Sequence, residues 1–304
     1  TYYVQSSHIK KTTTNKDYTD MMLRDKSGTR PVKFWGTVKD LSKGCFVFVA
    51  ASVEEYQGNP SIIARNIEIV DEPDSLDDYL PIYDGVSELV DDFYKLTEEI
   101  LLLEKKTNDS TCRLLIDEVY KQGSFFDRFI KNPGSDGPHY GKVGGLLANV
   151  IRITGHSFNI CKLYNLEDNE NAVILTAALL CRVGCADAYE FEDCMPVMTK
   201  RGQLIGVHNL TMNRISSAIR RVIQIAKKEN KIFSEEIILR VLHAVVASQK
   251  SSMVKAMTKE AIILQGVIGL DSEVSDALDF MDNDKNDGEE FTGFDPRLGR
   301  RYYR

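Results

Sequence analysis

Residues 172–189 read AVILTAALLCRVGCADAY, and this stretch decides the fold. It is apolar on nearly every side, which predicts a buried core helix rather than an amphipathic surface helix. Because glycine commonly ends helices, we expect the helix to stop at Gly184. Cys181, Arg182 and Cys185 would then be presented to a site at its C-terminal end.

The composition is that of a soluble globular protein. Of its residues, 43% are hydrophobic and 27% are charged. The length of 304 residues is enough for two domains. No apolar run matches a membrane-spanning helix, and the beginning, TYYVQSSHIKK, lacks the apolar segment of a signal peptide. We expect a cytoplasmic protein with no membrane partner, and its six cysteines are expected to be free thiols rather than disulfides.

The net charge of −7 argues against a protein that coats nucleic acid by bulk attraction, since phosphate binding needs clustered Lys and Arg. A local surface of Lys and Arg side chains remains compatible with this net charge. Acidic residues gather in 71–78 and 282–290, which leaves other surfaces more basic than the total.

Residues 1–70 alternate between apolar and polar side chains, as half-buried strands do. About five short strands with closely spaced turns predict a small closed barrel. The stretches LRDKSGTRPVKFWG (23–36) and YQGNPSIIARNIEIV (56–70) resemble the OB-fold modules that precede nuclease or helicase domains.

OB-folds bind single strands by stacking bases on aromatic side chains within a basic groove. The resemblance makes Trp35 and Tyr56 candidate stacking residues, with Lys33 and Arg65 supplying charge. Strand alternation allows at most one of Phe34 and Trp35 to be a surface stacker, and a core role carries nearly equal weight.

Residues 71–85 carry two prolines and six acidic residues and are interpreted as a linker. The periodicity then becomes helical through 86–281, so the predicted class is α+β and multidomain, with a barrel followed by an all-α domain. The tail, 282–304, is acidic and then aromatic-basic, and we expect it to dock through its aromatic residues. The predicted helices are 86–106, 110–131, 142–165, 169–183, 207–229, 234–249 and 258–281.

Four motifs follow one another in the helical region: PHYGKVGGLLANV (138–150), LLCRVGC (179–185), RGQLIGV (201–207) and LHAVVASQK (242–250). Their order, after a small barrel and an acidic linker, resembles the YhaM-type 3′-to-5′ exoribonucleases, which join an OB-fold to an HD domain. The resemblance covers most of the chain and implies a ring-like homo-oligomer.

The resemblance also shows where this chain departs from the family. The metal-ligand positions of the family fall at Asn149, Cys181, Arg182, Val207 and Ile268. Later histidines of the last motif become Ser248 and Gln249, whereas His139, His243 and Asp271 are retained. HD nucleases use metal ions held by imidazoles and carboxylates to make a hydroxide nucleophile. We therefore expect no catalytic residue, no metal and no cofactor; the alternative is Mn or another divalent metal in a divergent active exonuclease.

Two alternatives remain open at the end of the central helix. Arg182 either holds a phosphate bidentately without a metal or forms a salt bridge with Asp187 or Glu190. Cys181, Cys185 and His208 are either a replacement zinc site or, more simply, buried residues without a ligand.

A basic helix face near 214–231 either tracks a nucleic-acid backbone or is a solvated surface, and the second is favoured. Its cations are Arg214, Arg220, Arg221, Lys227, Lys228 and Lys231.

Three functions compete at this point. The first is a pseudoenzyme that binds single-stranded RNA or DNA, or that scaffolds an assembly. The second is a divergent metal-dependent 3′-to-5′ exonuclease, and the third is a purely protein-binding scaffold. The loss of ligand residues favours the first, then the third.

Overall fold

The computed structural model describes residues 1–39, 41–56, 59–137, 139–249, 252–284 and 289–304. The chain divides into two compact units, Thr1–Ile82 with Phe191–Met195, and Tyr83–Glu190 with Pro196–Arg304. The first contains a closed barrel and the second is built of helices. The predicted α+β class, a small barrel followed by a helical region, is confirmed.

The barrel has five strands, which are β1 (Tyr2–Lys11), β2 (Asp17–Asp25), β3 (Gly28–Phe34), β4 (Phe46–Tyr56) and β5 (Asn59–Val70). They follow the closed order β1-β2-β3-β5-β4, with β3 and β5 parallel and the other pairs antiparallel. Alternation along β2 buries Thr19, Met21 and Leu23, which face the interior. Val4, Val32, Val47 and Ala64 complete the barrel core.

The helices of the second unit match most of the predicted ones. They are α1 (Val86–Thr107), α2 (Thr111–Tyr120), α3 (Phe125–Lys131), α4 (Gly145–Leu163), α5 (Asp168–Leu180), α6 (Cys185–Ala188), α7 (Lys200–Ile205), α8 (Val207–Glu229), α9 (Glu235–Ala247) and α10 (Lys259–Asn283). The predicted helix 110–131 is two helices, because the chain turns at Gly123 with a φ of 55°.

A short hairpin, β6 (Tyr189–Glu192) and β7 (Met195–Met198), follows α6 and was not predicted. Its turn residues Asp193 and Cys194 both have positive φ, 47° and 58°. Such turns usually contain Asn-Gly or Asp-Gly, so cysteine at the second position gives no hairpin signal.

Helix α5 is the centre of the helical unit, as its composition predicts. Every residue from Ala172 to Leu180 is buried, and α5 packs against α1, α2, α4, α9 and α10. By length and hydropathy the described part of the chain holds one stretch that qualifies as a membrane span, Asp168–Ala188. Within this stretch, the most apolar segment of 18 residues is 83% buried inside the protein, as is usual for a core helix.

The expected end of α5 at Gly184 was wrong, since the helix ends at Leu180 and Gly184 has helical backbone angles, φ −67° and ψ −18°. Glycine is needed there for a different reason. A Cβ on Gly184 would lie 2.4 Å from the backbone nitrogen of Thr211 and 2.5 Å from the carbonyl oxygen of Val207. The residue therefore lets the turn after α5 approach α8 closely.

The tail folds back on itself and contacts α10. Isolated bridges within the tail join Phe291 to Tyr303 and Asp295 to Arg300. Thr292 and Asp295 are buried, whereas the aromatic residues Phe291, Phe294 and Tyr303 are exposed. The remaining aromatic residue, Tyr302, contacts Phe280 of α10 with 5.9 Å between ring centroids, so the expected aromatic docking is met at one position.

Candidate functional site

A cavity of about 410 Å³ lies inside the helical unit. Its wall is built from the loop before α4, from α4, from the turn after α5, from the end of α9, from α10 and from Arg297 in the C-terminal tail. The motif positions Asn149, Arg182, Gln249, Ile268 and Asp271 all contribute to this wall. Residues that are far apart in the sequence are thus brought to one site.

Asn149 connects two charged groups at the floor of the cavity. Its Oδ1 accepts a hydrogen bond from Nε of Arg182 at 3.2 Å, and its Nδ2 donates to Oδ2 of Asp271 at 3.0 Å. Asn149 and Asp271 are buried and Arg182 is half-buried. Both ends of the amide are therefore committed to protein partners.

The carboxylate of Asp271 is compensated by further donors. The hydroxyl of Tyr140 donates to it, at 3.0 Å from Oδ1 and 2.9 Å from Oδ2. Nη1 of Arg152 lies 3.8 Å from Oδ1. Burial raises the pKa of Tyr140 to about 12, so the phenol keeps the proton that it donates at neutral pH.

Arg152 also links Asp271 to a second acidic group. Its Nη1 lies 3.0 Å from Nε2 of His139, whose Nδ1 faces Oδ1 of Asp279 at 3.6 Å. Because arginine only donates, Nε2 is the acceptor and the proton is assigned to Nδ1. Burial lowers the pKa of His139 and raises that of Asp279.

These residues do not fit a divalent metal ion of the HD kind. Arg182 brings a positive charge, Ile268 has no donor atom, and the amide of Asn149 is already bonded at both ends. The hydroxyl of Ser248, at a position where the resembled family has a histidine, donates to the carbonyl of Val245 at 2.9 Å. Within the described ranges, no three His, Cys, Asp or Glu side chains are close enough to bind a metal.

Three of the motif positions lie outside the cavity wall. Nε2 of His243 accepts the backbone N–H of Met257 at 3.0 Å. Val207 begins α8 and packs against the helical core. Cys181 is buried and its Sγ donates to the carbonyl of Ala178 at 3.2 Å.

The salt bridge of Arg182 with Asp187, one of the two alternatives left open by the sequence, is not formed, because other arginines bind that carboxylate. Oδ2 of Asp187 lies 2.7 Å from Nη2 of Arg214, and Oδ1 lies 3.3 Å from Nη2 of Arg128. Arg182 bonds to the amide of Asn149 instead, and no ion pair joins it to Glu190 within the described part of the chain.

The cysteines beside Arg182 are buried thiols. Burial raises the pKa of Cys181 to about 12 and raises that of Cys185, so both are protonated at neutral pH. Metal binding requires the thiolate, which this environment disfavours. All six cysteines of the chain are free.

The basic face of α8 is used partly for internal contacts. Arg214 pairs with Asp187, and its guanidinium lies 3.7 Å from the ring centroid of Phe125. Arg221 pairs with Glu118 at 2.8 Å. Lys227 and Lys228 are exposed, so only part of this face is open to a partner.

The barrel carries a second candidate surface. Trp35 is 59% exposed, whereas Phe34 packs against the barrel core, so Trp35 is the surface member of the pair. Tyr18, which the sequence analysis missed, lies beside Trp35 with 5.4 Å between ring centroids. The partner in register of Thr19 is Phe34, which places Tyr18 and Trp35 at the same end of β2 and β3.

Cations surround this aromatic pair. Lys33 is opposite Asp20 in the β2–β3 register, and Asp20 forms an ion pair with Lys10 on β1. Arg65 is exposed and follows Ala64, the β5 partner of Phe34. Tyr56 ends β4, and its side chain lies outside the described part of the chain.

Several residues of this site were not predicted from the sequence. Tyr140 and Arg152 are single residues whose roles depend on tertiary contacts. Ser275 and Asp279 follow Asp271 at four-residue intervals on α10, and this polar row is a signal in the sequence that could have identified them.

Comparison of the chain with protein-family models, with curated proteins and with solved structures finds no match in any of the three. The functional argument therefore depends on the residues and the geometry described above.

Proposed function

We propose that this chain is a catalytically degenerate HD-domain protein, related in architecture to the YhaM-type exoribonucleases, that binds single-stranded nucleic acid through its barrel. The observation that supports the first part is the Arg182–Asn149–Asp271 chain of hydrogen bonds. It occupies the positions where the resembled family holds its metal, and it joins a cation to a carboxylate instead. Such a site lacks a means of making a hydroxide nucleophile.

The barrel supports the second part of the proposal. The closed order β1-β2-β3-β5-β4, with parallel β3 and β5, is compatible with an OB-fold, whose β2–β3 face binds oligonucleotides. Tyr18 lies on β2 and Trp35 directly follows β3, and together they offer a stacking platform for bases.

The charge of the barrel differs from that of the whole chain. Residues 1–70 contain ten Lys and Arg and seven Asp and Glu, although the chain as a whole carries −7. Residues 1–70 therefore carry a formal charge of +3 and suit a polyanion better than the acidic total would suggest. A local positive field of this kind attracts phosphates even on a chain whose net charge is negative.

The test is binding of a labelled oligonucleotide to the full chain over a salt series. Trp35→Ala is expected to cost about 1–3 kcal/mol of binding free energy with little change in salt slope, since stacking releases no counterion. The double variant Lys33→Ala/Arg65→Ala is expected to reduce the slope by about 1.4, which corresponds to two phosphates.

Phe48→Ala, at an exposed aromatic on β4, is the matched control and is expected to bind as the unchanged chain does. The nucleic-acid proposal fails if neither variant alters binding, or if the intact chain binds no strand at low salt. The scaffold function then takes its place.

A second role, self-association, is favoured by α10. Apolar residues at four-residue intervals form a ridge on this helix, and Ile262, Leu270, Val274 and Leu278 each expose 47–59% of their area. Exposed apolar patches of this kind mark protein interfaces. We propose a homo-oligomer in which this ridge packs against a second copy.

A further inference from the structure

One of the three guanidinium nitrogens of Arg182 is held by a hydrogen bond, and the other two have no hydrogen-bond partner among the described residues. Nε donates to Asn149, which is held in turn by its bond to Asp271. Neither Nη atom forms a hydrogen bond to any residue that the structure describes. Arg182 forms part of the cavity wall, so four of its five N–H groups are available to a molecule in the cavity.

A second side chain in the same cavity has an unused polar group. Ser275 is 4% exposed, and its buried Oγ has no hydrogen-bond partner. Buried hydroxyls are nearly always bonded, and an exception calls for an explanation. A ligand oxygen in the cavity would satisfy this hydroxyl.

The acidic groups of the cavity decide how a ligand would be oriented. Asp271 is already bonded to Tyr140 and Asn149. Asp276 and Asp279 line the same cavity further along α10, together with Arg297 of the tail. Asp279, which also faces Nδ1 of His139, is two helical turns, about 12 Å, from Asp271. Carboxylates repel an anion but accept hydrogen bonds from hydroxyl groups. An anion therefore fits at the Arg182 end, and hydroxyls fit at the Asp276–Asp279 end.

We propose that this cavity binds a phosphomonoester of a hydroxyl-bearing small molecule, the class of a ribonucleoside monophosphate, with its phosphate on Arg182 and Ser275 and without a metal ion. The volume of about 410 Å³ lies in the range of small-molecule sites. Arginine matches phosphate geometry through paired N–H groups. It neutralises the phosphate as a metal would but activates no water, so the ligand is bound and not hydrolysed.

This inference rests on the proposed loss of the metal site and is independent of strand binding by the barrel. Its test is calorimetric titration of the full chain with adenosine 5′-monophosphate in EDTA. Adenosine, which lacks the phosphate, and inorganic phosphate, which lacks the hydroxyls, are the comparison probes. We expect the monophosphate to bind more tightly than either of them.

Arg182→Gln is expected to weaken binding of the monophosphate by at least about tenfold, since a charge-assisted contact is lost. Arg201→Gln removes the same charge from an exposed position on α7 and is the control, expected to leave the affinity unchanged. Equal affinity in Arg182→Gln and the unchanged chain would overturn the inference.

Ser275→Ala separates a binding role from a structural one. It should weaken binding of the monophosphate by about threefold or more, while the unliganded variant melts at the same or a higher temperature because an unsatisfied hydroxyl is gone. Unchanged affinity in this variant, or no binding in EDTA or in Mn²⁺, refutes the phosphate site and leaves the proposed function standing. Binding that requires Mn²⁺ refutes both.

Discussion

Asn149 and Arg182 are joined by a hydrogen bond of 3.2 Å, and the same amide donates to Asp271 at 3.0 Å. An amide presents an acceptor and a donor at once, so it can face a guanidinium on one side and a carboxylate on the other. Asn149 and Arg182 stand where the resembled HD pattern has metal ligands, and in this chain their side chains fit each other. A histidine at 149 and an aspartate at 182, as in that pattern, would require a cation between them, whereas here the cation is Arg182 itself.

The first prediction concerns this amide. Asn149→Ala is expected to lower the free energy of unfolding by about 1–3 kcal/mol, because it leaves Nε of Arg182 and an oxygen of Asp271 without their partner. Urea unfolding followed by circular dichroism measures the change. Asn209→Ala, at an exposed position in α8, is the control and should be near neutral. Equal stability of Asn149→Ala and the unchanged chain would show that the network contributes nothing.

The second prediction uses a buried carboxyl outside the cavity. Glu104 in α1 is 5% exposed, and its Oε1 accepts the backbone N–H of Arg113 at 2.9 Å. Burial raises its pKa from 4.5 to about 7. Since the folded state holds the proton more tightly than the unfolded state, this group lowers stability as pH rises from 4.5 to 7, and the full penalty is present above pH 7.

Glu104→Gln keeps the accepting oxygen and removes the charge. We expect it to raise the free energy of unfolding by about 1–3 kcal/mol at pH 8 and by much less at pH 4.5. Unfolding curves at the two pH values measure the difference. Glu98→Gln, on the exposed side of the same helix, should show no such pH dependence. An equal effect of Glu104→Gln at both pH values would argue against a raised pKa.

The third prediction concerns metal. We expect purified protein to contain no stoichiometric Mn, Fe or Zn and to release no nucleotide from an RNA 3′ end when Mn²⁺ is added. The physical reason is the set of groups at Asn149, Arg182 and Ile268, which offers a cation and an apolar side chain where ligands are needed. Elemental analysis and a 3′-end nuclease assay measure both points. About one metal ion per chain together with Mn²⁺-dependent release would contradict the prediction.

The barrel and the helices were predictable because their periodicity is local. The alternation of apolar and polar residues in 1–70 predicts strands with one buried face, and the continuous apolar stretch 172–180 predicts a buried helix. The cavity was predictable only in part. Motif positions placed Asn149, Arg182 and Asp271 together, but the bond between Asn149 and Arg182 depends on how α4 and the turn after α5 meet.

The rest required tertiary information. The end of α5 was misplaced because Gly184 serves close packing against α8 rather than a left-handed cap. The burial of Thr292 and Asp295 in the tail also could not be predicted, because neither residue type usually lies in a protein interior. In both cases the neighbours in space, and not the residue's usual role, decide the outcome.

The last prediction concerns self-association. The apolar residues of α1 and α2 pack largely into the core of the helical unit. The exposed ridge of α10 is the surface that we propose for self-association. We expect light scattering to give a multiple of 34.3 kDa, and Leu270→Glu to shift the mass toward that of the monomer, because the carboxylate would be desolvated within the interface. Leu204→Glu introduces the same charge at a more exposed leucine on α7 and should leave the mass unchanged. Circular dichroism checks that both variants keep their helices, and a monomer mass for the unchanged chain at micromolar concentration would refute the oligomer.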